Sequence, residues 1–96
     1  MTREKLKKNL KQLVEVVDEI QQDIEIIGVS VNAYSDPAYP FAFVQLHNCW
    51  DTIKEEADAW GDDLHEDDWY SDKYASRYFN AGCVQVFTLK EVRHER

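Results

Sequence analysis

Residues 26–46 read IIGVSVNAYSDPAYPFAFVQL, and their reading decides the fold. Across 26–34, Ile27, Val29, Val31 and Ala33 alternate with Gly28, Ser30, Asn32 and Tyr34. A period of two with one polar face is the pattern of a strand covered on one side. Ser35-Asp36-Pro37-Ala38-Tyr39-Pro40 comes next. Two prolines that fix φ, and an aspartate able to close an Asx-turn, make it a turn. Residues 41–46 form the return strand, so the pair is an antiparallel hairpin.

On the N-terminal side, Leu6, Leu10, Leu13, Val17, Ile20 and Ile24 recur at spacings of 4-3-4-3-4, with Val14 and Val16 widening the stripe. This predicts an amphipathic helix over residues 2–24, capped by Thr2. Packing on the domain's own sheet is the ordinary use of such a stripe. Charge order points to a second use. Lys5, Lys7, Lys8 and Lys11 lie at the start, and Glu15, Asp18, Glu19 and Asp23 at the end. That order opposes the helix macrodipole but is self-complementary in an antiparallel pair, so a homodimer through this helix is an alternative.

On the C-terminal side, residues 51–72 read DTIKEEADAWGDDLHEDDWYSD. Ten carboxylates against one lysine give the stretch a charge of −9, when the whole chain carries −8. Trp50, Ile53, Ala57 and Trp60 at 3-4-3 spacing predict a short helix with both tryptophans in the core, started by Asn48 and ended by Gly61. Asp51, Glu55 and Asp58 then form an acidic ridge toward solvent. Residues 62–72 lack an apolar period and read as a loop. Two strands, 74–80 and 83–89, follow with a tight turn at Asn80-Ala81-Gly82, and residues 90–96 are expected to fray. The order α-β-β-α-β-β predicts one α+β domain over 1–96. Its sheet is expected to be four-stranded and antiparallel, packed by a long N-terminal helix and a short second helix.

With 96 residues, 44% of them hydrophobic and 31% charged, the chain can bury a core but not a large enclosed active site. No run of about 18 apolar residues is present, and no signal-peptide pattern opens the chain. Two cysteines without such a pattern suggest free thiols in a reducing, cytoplasmic setting. The negative middle repels nucleic acid and anionic membranes and attracts basic protein surfaces.

Chemistry-bearing motifs are sparse. His47-x-Cys49, with Cys83 and His65 elsewhere, falls short of the paired spacings of a zinc site. Residues 62–68 lack the alternating ligands and glycine of an EF-hand loop. No nucleophile elbow, phosphate-binding glycine loop or H-E-x-x-H helix occurs. With three glycines in the chain, a backbone phosphate cradle has little to build on. No cofactor, metal or catalytic residue is therefore expected. Arg3, Lys5, Lys7, Lys8 and Lys11 can touch phosphates, but the overall charge argues against direct nucleic-acid binding.

Residues 78–87, YFNAGCVQVF, following the acidic stretch, resemble hairpins of small acidic accessory proteins encoded by phages and mobile elements. That class includes nucleic-acid mimics and inhibitors of host nucleases, anti-CRISPR proteins among them. The resemblance implies a stoichiometric inhibitor and carries over no catalytic position. Read with the charge pattern, the expected contact residues are Asp58, Asp62, Asp63, Glu66, Asp67 and Asp68, standing in for phosphates, with Trp69 and Tyr70 packing beside them. The expected partner is a basic, nucleic-acid-binding surface of a host protein, a nuclease being one candidate. The alternative function is a homo-oligomeric module holding a small ligand in an aromatic-lined cleft.

Overall fold

The computed structural model describes residues 2–32 and 38–92. Helix α1 spans Arg3–Ile20, with the Lys5 N–H donating to Thr2 Oγ1 at 3.2 Å. Its expected end at residue 24 moves back to Ile20. Residues 21–23 form a turn, although the Ile24 N–H still donates to the Ile20 carbonyl and Ile24 still packs on the core. The apolar period therefore outlasts the helix. Leu13, Val16 and Ile20 are buried, whereas Leu6, Leu10 and Val14 are exposed.

Strands β1 (Ile26–Val31) and β2 (Ala42–Leu46) form the expected antiparallel hairpin. The last part of the expected first strand, and residues 35–37 of its turn, lie outside the described residues. Helix α2 is shorter than expected, Ile53–Ala59. Asn48 does not cap it. Asn48 sits in the left-handed region at φ 46°, a conformation asparagine tolerates, and residues 49–52 make a separate turn through Thr52 and Ile53 N–H bonds to the Cys49 carbonyl. Thr52, at the N-cap, gives its hydroxyl to that same carbonyl instead of capping the helix. At the other end Gly61 behaves as expected. At φ 71° it lets its own N–H reach Asp58 O and the Asp62 N–H reach Ala57 O, which closes a Schellman cap.

The expected four-stranded antiparallel sheet is corrected to a mixed sheet of five strands. Three further strands, β3 (His65–Asp67), β4 (Tyr74–Ala81) and β5 (Val84–Glu91), complete the order β1-β2-β5-β4-β3. The two hairpins join through β2 and β5, which pair in parallel. Alternating side chains look the same in either direction, so the pattern is silent on this. β3 lies inside the stretch read as a loop. Its own residues have weak strand preference, and its partners hold it instead: His65 stacks on Tyr78 (centroids 5.1 Å apart), and Glu66 lies opposite Arg77. Residues 90 and 91, expected to fray, belong to β5, with Glu91 opposite Tyr74.

Register sorts the two faces. Ala42, Val44, Leu46, Phe79, Ala81, Val84 and Val86 point to one face and share a single core cluster with Leu13, Val16 and Ile20 of α1 and Ile53 and Ala57 of α2. Both helices therefore cover the same face. At the β4–β5 turn Gly82 takes φ 62°, and a Cβ there would come within 3.0 Å of the Gln12 side chain. A side chain at 82 would have to push the Gln12 side chain aside by a few tenths of an ångström, and the positive φ would strain it.

Candidate interaction surfaces

The acids of 51–72 divide by what they touch. Asp62 Oδ2 accepts from the Asn80 N–H at 2.7 Å, which ties the chain after α2 to β4. Asp67 Oδ1 accepts from the Trp69 N–H at 3.0 Å and shapes the turn after β3. Glu66 Oε2 lies 3.4 Å from Arg77 Nε. Yet that buried Nε–H finds no acceptor with hydrogen-bond geometry, so the attraction is purely coulombic. Asp58, Asp63 and Asp68 are exposed. Among the described residues their carboxylates make no hydrogen bond or ion pair. Opposite Arg77, Glu66 faces the helix side of the sheet, while Asp67, opposite Ser76, faces the other side. The expected contact residues therefore wrap the β3 edge and do not lie in one plane.

Trp69 and Tyr70 are 57% and 52% exposed. Tyr70 is also part of the fold, because its ring stacks on Phe87 at 6.1 Å. Trp50, expected in the core, is half-buried at the core's margin. The Arg77 guanidinium covers its ring at 4.5 Å, the Lys90 ammonium lies 5.6 Å from its centroid, and Arg77 Nη1 donates to its carbonyl. Helical spacing placed it inside, but Trp50 precedes the helix, and a large ring beside two cations is stable at a margin.

Sequence reading missed a second acidic surface. Glu15, Asp18, Glu19 and Asp23 of α1 and the turn after it meet Glu56, Ala59 and Trp60 in a groove of about 490 Å³ between the helices. Each half was visible as an acidic segment, but only packing puts them side by side. Burial pushes the Glu56 carboxyl above its ordinary value, and Asp23, Glu55 and Glu19 push it further. Native Glu56 thus holds a proton more readily than in the unfolded chain. Its ionised form costs stability above the folded value, and the cost disappears as pH falls below the unfolded one. Glu56→Gln should raise the urea midpoint at pH 7, with the gain shrinking as pH approaches about 4. An equal gain at both pH values would mean that the groove does not strain this group.

The face opposite the helices holds a cleft of about 440 Å³ lined by Phe43, Phe87, Tyr78 and Tyr70, with Asp67, Ser76, Gln85 and Ser30 as its polar groups. Phe43 and Phe87 meet edge to face at 6.5 Å. The thiols suggest no chemistry. Cys49 is buried and Cys83 half-buried, and desolvation raises both, so they remain protonated near neutrality. Among the described residues no three His, Cys, Asp or Glu side chains converge as a metal site, and no helix is long and apolar enough to cross a membrane. No family model, curated protein or solved structure matches the chain.

Proposed function

We propose that the chain is a non-catalytic binding protein whose negative surface occupies a basic, nucleic-acid-binding surface of another protein, in the manner of phage-encoded nuclease inhibitors. One observation carries this reading. Acids outnumber bases 19 to 11, yet the described residues contain a single ion pair, Glu66 with Arg77. Among the described residues Asp58, Asp63 and Asp68 are exposed and make no hydrogen bond or ion pair, which leaves their charge open to a partner. Asp58, Asp63 and Asp68 supply spaced charge, and Trp69 and Tyr70 supply flat rings beside it. Asp62, Glu66 and Asp67 hold the surface in shape as well as adding to its field. Such a field speeds encounter with a positive surface and sets its orientation.

A second reading rests on the aromatic cleft, whose size and mixed lining suit a small planar ligand. One experiment separates the two. The tagged chain is purified from a bacterial lysate at low salt and washed stepwise to high salt. A basic protein released by salt supports the inhibitor. A small molecule that stays with the chain and is identified by mass spectrometry supports the cleft. Recovery of neither overturns the first reading.

A further inference from the structure

We propose that the aromatic cleft on the face opposite the helices binds the guanidinium group of a small organic cation. The inference rests on the second reading above, in which this cleft is a ligand site, and it names the chemistry that fits there. Four rings, Phe43, Phe87, Tyr70 and Tyr78, line a space of about 440 Å³, the size of a small-molecule site. Tyr70 lies within 22° of parallel to Phe87, while Phe43 stands at 82° to it. The cleft thus presents ring faces in two orientations. Such faces attract cations through the negative side of the ring.

Charge selects a cation. Among the described lining residues Asp67 is the only charged one. Its Oδ1 takes the Trp69 N–H, which orients the carboxylate, and among the described residues Oδ2 has no partner. Asp67 lies opposite Ser76, and Glu91 opposite Tyr74, so the registers put both acids on this face. The lysine and arginine of the described strands, Lys90 and Arg77, alternate to the other face, where they flank Trp50. No lysine or arginine of the sheet therefore competes for the cleft.

Polar groups select among cations. Ser76, in the lining beside Asp67, is only 3% exposed. Among the described residues nothing bonds to its hydroxyl. A buried hydroxyl without a partner is costly, so this one, turned to the cleft, points to a ligand group that meets it there. Gln85 adds an amide that also has no partner among the described residues. A quaternary ammonium has no N–H to give these oxygens. A primary ammonium is compact, strongly hydrated and has no flat face. A guanidinium is planar, stacks on rings and carries N–H donors on several sides. It alone meets the rings, Asp67 Oδ2 and Ser76 Oγ together.

The test is an NMR titration of the isotope-labelled full chain at about 50 mM salt. Agmatine is the guanidinium probe, and putrescine, which shares its carbon chain and charge, is the ammonium probe. Agmatine should shift the amides of Asp67, Ser76 and Phe87 and saturate with a Kd of about 1 mM or below. Putrescine should bind at least about five-fold more weakly. Asp67→Asn keeps an acceptor for the Trp69 N–H and should weaken agmatine at least about five-fold. Ser76→Ala should weaken it several-fold, whereas Glu4→Gln, an equal loss of charge on α1 behind the sheet, should leave it unchanged. Unchanged affinity in Asp67→Asn or Ser76→Ala overturns the inference, as does equal affinity for putrescine. Shifts centred on Asp18 and Glu56 would place the cation in the groove between the helices and overturn it too. Should Ser76→Ala not fold, Asp67→Asn must still show its loss. Adenosine serves as the neutral planar control. If it binds in place of agmatine, the choice of a cation falls and the cleft stands as a site. If neither binds, this inference falls, and the lysate experiment alone decides whether the cleft holds a ligand.

Discussion

Phe79→Ala is expected to lower the unfolding free energy by about 3–5 kcal/mol. Phe79 is the largest fully buried side chain. It sits on β4 opposite Val86 of β5, in the cluster that both helices share. Losing the ring removes apolar area from the place where α1, α2 and the central strands meet. The hole cannot close by moving one element, because neighbours on both sides are held by sheet pairing. Domains of this size have about 5–15 kcal/mol in all, so the variant should lose a large share of its stability. Urea titration followed by tryptophan fluorescence measures it. A loss below about 1 kcal/mol would mean that the site repacks and that the core is less close-fitted than described.

Replacing Asp58, Asp63 and Asp68 together by lysine is expected to weaken binding to the proposed basic partner while leaving the fold unchanged. The three side chains are exposed and make no intramolecular bond among the described residues, so surface substitution should cost little stability. Net charge moves from −8 to −2. Contacts of this exposed kind contribute about 0.2–1 kcal/mol each, so the loss is a few-fold to roughly hundredfold in affinity. It should appear mainly as slower association at about 50 mM salt and narrow at about 500 mM, where screening is stronger. Surface plasmon resonance on the recovered partner reads both rates. Asp62 is left intact on purpose, since its bond to the Asn80 N–H holds the chain after α2 in place. Unchanged kinetics at low salt would end the electrostatic reading.

Local chemistry was legible where one stretch of chain decides the outcome. The Thr2 cap, the buried Leu13 and Ile20, the 26–46 hairpin and the Gly61 terminus all follow from neighbouring residues, and so does the β4–β5 turn, although it falls at Gly82-Cys83 because Asn80 and Ala81 still pair with Gln85 and Val84. What escaped depends on distant ones. Side-chain alternation cannot say whether β2 runs with or against β5. Histidine, glutamate and aspartate do not announce a strand, and β3 exists because Tyr78, Arg77 and Ser76 stand opposite it. Trp50 has helical spacing to Ile53 but lies before the helix, where Arg77 and Lys90 reach it from β4 and β5. The candidate surface divides in the same way. Composition shows the charge of 51–72, but the groove between α1 and α2 needs two separated segments brought together.

The parallel pairing of β2 with β5 also bears on how the chain is made. Thr88 gives its hydroxyl to Leu46 across 42 residues of sequence, and the sheet closes only through contacts of that span. During synthesis the first helix and hairpin leave the ribosome well before their central partner exists. Until the final strand emerges, the apolar side chains of β2 have no sheet neighbour beyond β1. Closing so long a loop delays the reward of folding until β5 has been made, and in that interval the nascent hairpin is open to chaperones or to other chains.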